Sequence, residues 1–136
     1  MLAIFNGPPL VEPSPYAPMS RLHWNEMYVD PRATAEWKSC KAAKQLTGST
    51  EFKNQLTVLS EPREVDYGAV AKLKRSILEL LAEEFFTKKR ERAKDYKGFL
   101  KLYPTADDFA AFRATGEFRN EVWSKWPELQ RGGDLH

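Results

Sequence analysis

Apolar positions recur with a helical period through most of this chain after residue 34, and with no steady period before it. The first apolar run, Leu2-Ala3-Ile4-Phe5, is continuous and predicts a short strand over 2–5. Gly7-Pro8-Pro9 stops it, because proline brings no N–H to a ladder. No second convincing strand is expected over about the next hundred residues, so the lone strand hints that its sheet is missing, and whether the stub pairs at all is open at this point. Pro8, Pro9, Pro13, Pro15, Pro18 and Pro31 then forbid a long helix and predict a loop over 6–34. Tyr16, Trp24 and Tyr28 within it argue for an ordered loop rather than a disordered one.

Beyond Pro31 the spacing predicts helices. Thr34 is placed to cap one over about 35–46, with Trp37, Cys40, Ala43 and Leu46 spaced by three and Gly48 beyond its end. Ser49 is placed to cap a second over 50–59, with Phe52, Leu56 and Leu59 on one face. Asp66 heads the longest, over 67–93, with a stripe of Val70, Leu73, Ile77, Leu80, Leu81 and Phe85. The basic run Lys88-Lys89-Arg90-Glu91-Arg92 suits the carboxyl end of that helix by its dipole. Thr105 with Asp107 and Asp108 opens another helix carrying Phe109 and Phe112, which Gly116 is expected to break. Glu117–Trp126 reads as a last short helix ending at Pro127, and 131–136 as a disordered tail. By pattern the isolated chain is mainly α: strand stub and loop over 1–33, helices over 34–130, tail over 131–136.

Composition narrows this only a little. At 136 residues, 42% hydrophobic and 12% aromatic, the chain has enough apolar matter for one core. Its 21 basic and 19 acidic residues leave a net charge of +2, without the basic stripe that nucleic acid requires. No run approaches the length of a membrane span, and the five apolar residues at the start are too few for a signal segment. A soluble, cytoplasmic protein is expected. The single cysteine, Cys40, forms no internal disulfide and reads as a small, half-buried helix residue.

The search for chemistry excludes more than it finds. His23 and His136 are the only histidines, too far apart in sequence to suggest a metal site. No phosphate-binding glycine loop and no nucleophile motif is present, so neither cofactor nor metal is expected. Glycosidic chemistry needs two carboxylates on opposite sides of one bond. Asp107/Asp108 and Glu83/Glu84 sit in helical pattern and read as capping and surface charge, so no catalytic residue is assigned. Residues 14–30 differ from the rest: Tyr16 stands braced between Pro15 and Pro18, and Ser14, Ser20 and Asn25 bring hydroxyl and amide groups. Such a loop suits the apolar face and the hydroxyls of a sugar; equally, Tyr16, Trp24 and Tyr28 could pin it to the body.

Order then adds to composition. Ser14-Pro15-Tyr16, Ser20, Asn25 and Tyr28-Val29-Asp30 follow in one series, then Val65-Asp66-Tyr67 leading into Leu73-Lys74, then Trp123-Ser124-Lys125-Trp126-Pro127. This series resembles that of the 4-alpha-glucanotransferases, the amylomaltases or disproportionating enzymes of glycoside hydrolase family 77. The resemblance implies a (β/α)8 barrel with an inserted helical subdomain, of which this chain would be an amino-terminal fragment. It implies transfer of alpha-1,4-glucan segments between maltooligosaccharides by a retaining mechanism, with the catalytic carboxylates downstream of the Trp-Pro step. It also implies that Tyr16 stacks on the sugar, that Ser14 and Asn25 help bind substrate, and that Asp30, Asp66 and Trp126 are structural motif residues. Partners would be an alpha-1,4-glucan and the rest of the parent barrel, with no nucleic acid and no membrane. The rival expectation is a non-catalytic helical interaction domain with an aromatic, proline-rich arm.

Overall fold

The computed structural model describes residues 2–3, 20–24, 26–61, 63–87 and 89–135. They are mainly helical and fall into two compact units, Met27–Ala93 and Met1–Glu26 with Lys94–His136.

In the unit Met27–Ala93, two one-turn 3-10 segments, Pro31–Ala33 and Ala35–Lys38, lead into helix α1 (Lys41–Gly48), α2 (Thr50–Ser60) and α3 (Tyr67–Thr87). The expected single helix over 35–46 is therefore broken in two. Thr34 does not cap it: its hydroxyl donates backward to the Pro31 carbonyl at 2.7 Å and closes the preceding turn instead. Cys40 takes the capping role, its Sγ accepting from the Ala43 N–H at 3.5 Å and donating to the Leu80 carbonyl at 3.5 Å. It lies before the helix rather than in it, and at 3% exposure it is fully rather than half buried. Ser49 caps α2 as expected, its Oγ accepting from Phe52 N–H at 3.2 Å.

The core of this unit is Cys40, Ala43, Phe52, Ile77 and Leu81, with Trp37, Leu46, Leu73, Leu78 and Leu80 packed against it. The α3 stripe supplies much of it, because residues three and four apart share a helix face. On α2 only Phe52 is buried; Leu56 projects to solvent. The expected helix over 67–93 is covered by α3 (Tyr67–Thr87) and the first turn of α4 (Lys89–Leu102), on either side of residue 88, which lies outside the described residues; the departure from helical geometry comes at Arg92, with φ −117° and ψ 15°. The Arg92 guanidinium pairs with Glu36 and lies 5.5 Å from the Phe85 ring centroid.

The other unit holds two strands. β1 (Leu2–Ala3) pairs antiparallel with β2 (Ser20–Trp24), Leu2 opposite Trp24 and Ala3 opposite Ser20. This corrects the expectation that no second strand follows the amino-terminal one; its proposed residues 4 and 5 lie outside those described. The ladder is irregular between Leu2 and Ala3. Ser20 Oγ accepts from the N–H groups of Leu22 and His23 at 3.1 and 3.3 Å, which turns those donors to a local loop. No larger sheet is formed among the described residues.

Also in this unit, α4 runs to Leu102, just before Pro104, and α5 occupies Ala106–Arg119. Gly116 does not break α5. It lies buried inside the helix, where a Cβ would meet the Trp126 ring at 3.4 Å. The helix ends instead at Asn120, in the left-handed region at φ 52°, whose N–H closes on the Gly116 carbonyl at 2.9 Å. Asparagine tolerates that region because its short polar side chain costs little there. The expected helix over 117–126 is accordingly replaced by the end of α5, a 3-10 turn at Trp123–Lys125, and α6 (Glu128–Arg131) after Pro127. Backbone bonds from Gly132, Gly133 and Asp134 back to Glu128, Gln130 and Leu129 close that last helix.

Candidate functional site: the loop and its anchors

Ser14, Tyr16 and Asn25 lie outside the described residues. Described are the strand Ser20–Trp24 and the turns that follow it. The local sequence builds those turns. Glu26–Tyr28 forms one 3-10 turn, and Asp30 starts the next. Asp30 Oδ1 accepts from the Arg32 N–H at 2.9 Å, and Pro31 at the first position pre-sets the backbone angle that the turn needs. Asp66 does the same for α3, accepting from the Ala69 N–H at 2.9 Å.

Two cations reach this loop, one in each unit. In Met27–Ala93, Lys74 Nζ on α3 donates to the Met27 carbonyl at 2.5 Å. In the other unit, Arg113 on α5 grips the Glu26 carboxylate with both guanidinium nitrogens, one bond measuring 3.2 Å, and also reaches Glu117 at 3.5 Å. A forked guanidinium on a carboxylate fixes orientation as well as distance. In the same unit the His23 ring stacks on Phe109, centroids 4.3 Å apart and 11° from parallel. His23 Nε2 lies 3.3 Å from Thr105 Oγ1.

Trp126 is 4% exposed. Its ring meets Phe112 at 5.3 Å between centroids and its Nε1 donates to the Glu121 carbonyl at 3.1 Å, so the buried donor is satisfied. Trp123, three residues earlier, is exposed.

Five of the described carboxylates are tied into the fold. Glu26, Glu36 and Glu117 pair with arginines, and Asp30 and Asp66 cap helical turns. Asp107 and Asp108 occupy the exposed first turn of α5. Among the described residues no group of three or more His, Cys, Asp or Glu side chains converges as a metal site, and no helix is long and apolar enough to cross a membrane.

Sequence reasoning missed the Lys74, Arg113 and His23 contacts. Their partners stand 47, 87 and 82 positions away, and no local pattern marks such pairs. Only the Arg113–Glu117 contact carries a signal, the i, i+4 spacing of opposite charges on a helix.

Comparison with known proteins adds one result. The family model described as 4-alpha-glucanotransferase, glycoside hydrolase family 77, matches residues 3–134. No curated protein and no solved structure matches the chain.

Proposed function

Because this chain belongs to glycoside hydrolase family 77, the 4-alpha-glucanotransferases, we propose that it provides the glucan-binding loop and a helical subdomain of such an enzyme. The observation that carries this reading is the family match over residues 3–134, which takes in the loop, the Asp66 helix start and the Trp-Pro step together. The substrate is an alpha-1,4-glucan, and the reaction passes a glycosyl segment to a second maltooligosaccharide instead of to water.

In such a retaining transfer one carboxylate attacks the anomeric carbon while a second protonates the leaving oxygen, the two about 5–5.5 Å apart. Neither role is assigned to a residue of this chain. A nucleophile must be free to form a bond, and an acid/base must be free to exchange a proton. Glu26, Glu36 and Glu117, held by arginine, and Asp30 and Asp66, spent on helix caps, meet neither need; the family resemblance implies catalytic acids downstream of the Trp-Pro step. The share of this chain is binding. Tyr16, braced by Pro15 and Pro18, presents its face to the sugar ring; Ser14 and Asn25 offer hydrogen bonds to its hydroxyls.

The direct test is incubation of the 136-residue chain with maltotriose, followed by chromatography of the products. The expected result is weak binding with no longer oligosaccharides formed. A robust ladder of products would overturn the assignment of the acids to other segments. In an intact parent enzyme, Tyr16→Ala is expected to cut turnover more than Tyr67→Ala, and equal losses would remove Tyr16 from the sugar site.

The interaction-domain reading has one observation in its favour. Large apolar side chains stand out from both units, among them Phe118 at 91% exposure and Leu102 at 77% in one and Val58 in the other. Exposed apolar side chains that form one contiguous patch mark an interface, and in this reading a parent barrel would provide its other half.

A further inference from the structure

Lys74 stands on α3 two turns beyond the Asp66 cap, and its side chain has little local reason to be where it is. Lys72, two positions earlier, points to solvent, whereas Lys74 is half-buried. An ammonium is strongly hydrated, and withdrawing it from water toward a single carbonyl costs solvation that a packing residue would not lose. The carbonyl it meets, at 2.5 Å, belongs to Met27. Met27 is the middle residue of the 3-10 turn Glu26–Tyr28. The last carbonyls of a helical turn lack partners along the chain and carry its negative end, so a cation is well placed there.

From Met27 to Asp30 the segment has no fully buried side chain. Neither Glu26–Tyr28 nor Pro31–Ala33 contains a buried residue. One-turn 3-10 segments are weak by themselves, their hydrogen bonds being poorly aligned. Tyr28, half exposed, and Asp30, the motif acid, both lie within three residues of the held carbonyl.

We propose that Lys74 is a positioning residue that tethers the carboxyl-terminal end of the loop, Met27 to Asp30, to α3. The tether sets this end of the loop before any glucan arrives, so ordering it does not fall to the binding step. Its consequence for sugar rests on the reading of the loop as glucan-binding; the tether itself does not.

Hydrogen–deuterium exchange of the 136-residue chain separates the two. Lys74→Met removes the donor, Lys74→Gln removes the charge with a milder change of shape, and Lys72→Met is the exposed control. Loss of one charge-assisted bond is expected to raise exchange across 27–33 about tenfold in both Lys74 variants. Amides around Ile77 and Leu81 should keep wild-type rates, as should every segment in Lys72→Met. Lys74→Arg, which keeps a cationic donor, should recover part of the protection. Unchanged exchange over 27–33 in both Lys74 variants overturns the tether. So does a rise shared equally with the α3 core, which would mean general loosening. Maltoheptaose affinity, measured by calorimetry, should fall about fivefold in Lys74→Met as ordering cost moves into binding. Faster loop exchange with unchanged maltoheptaose affinity supports the tether and counts against the glucan-loop reading instead.

Discussion

Gly116 and Trp126 show how a residue far along the chain decides what a glycine does. Within α5 a glycine is a liability of about 1 kcal/mol relative to alanine, since it adds backbone freedom and nothing to pack. Here the Trp126 ring lies over it, at 3.4 Å from where a Cβ would stand. That is ordinary contact, so alanine fits. Gly116→Ala is expected to stabilise the chain by about 0.5–1 kcal/mol. Gly116→Leu, whose branches would enter the ring, should cost about 1–3 kcal/mol. Urea titrations followed by tryptophan fluorescence would read both, and a destabilised alanine variant would mean the ring has no room to stay. Cys40 makes a parallel point. Its spacing with Trp37 and Ala43 suggested a helix interior, yet its thiol caps α1 while bonding back to Leu80. That second contact comes from α3, and no window of local sequence contains it.

At the scale of elements, two of the caps were legible and several boundaries were not. Ser49 and Asp66 cap α2 and α3 because a short polar side chain beside a helical stripe has few better partners than the first free N–H groups. Asp66→Ala should cost about 1 kcal/mol, with Asp66→Asn close to wild type. Thermal melting monitored by circular dichroism checks this, and an Asp66→Ala variant that melts with wild type would show the cap to be idle. The boundaries went otherwise. The helix beyond the Arg92 kink, up to Leu102, was not expected, although Ala93, Tyr96 and Leu100 recur at helical spacing and are half-buried there. The kink at Arg92 has that residue's contacts to Glu36 and Phe85 beside it, and those are tertiary. β2 was hidden because Ser20–Trp24 is only five residues long and sits in a proline-rich stretch that read as loop.

For the whole molecule, the surplus of exposed apolar side chains matters more than the core. The described core of the unit Met27–Ala93 is small, while large residues stand out from both units. Concentration-dependent light scattering is expected to show self-association of the chain at moderate concentration. Phe118→Ser and Leu102→Ser are expected to reduce it, since each removes a solvent-facing apolar side chain. Scattering that stays at the monomer value throughout, for wild type and variants alike, would remove the interface reading of this surface.

By itself the sequence determined the helical character, two of the caps, the main stripe of the core and the family. Each rests on short-range order or on ordered motifs, which survive without coordinates. Only the tertiary structure decided where α1 begins and α5 ends, which strand β1 meets, what Gly116 and Cys40 do, and which cations grip the loop at Glu26 and Met27. The reason is common to all of these. Each is settled by a partner from a distant part of the chain, and the free energy of such a contact exists only once the fold has brought the two together.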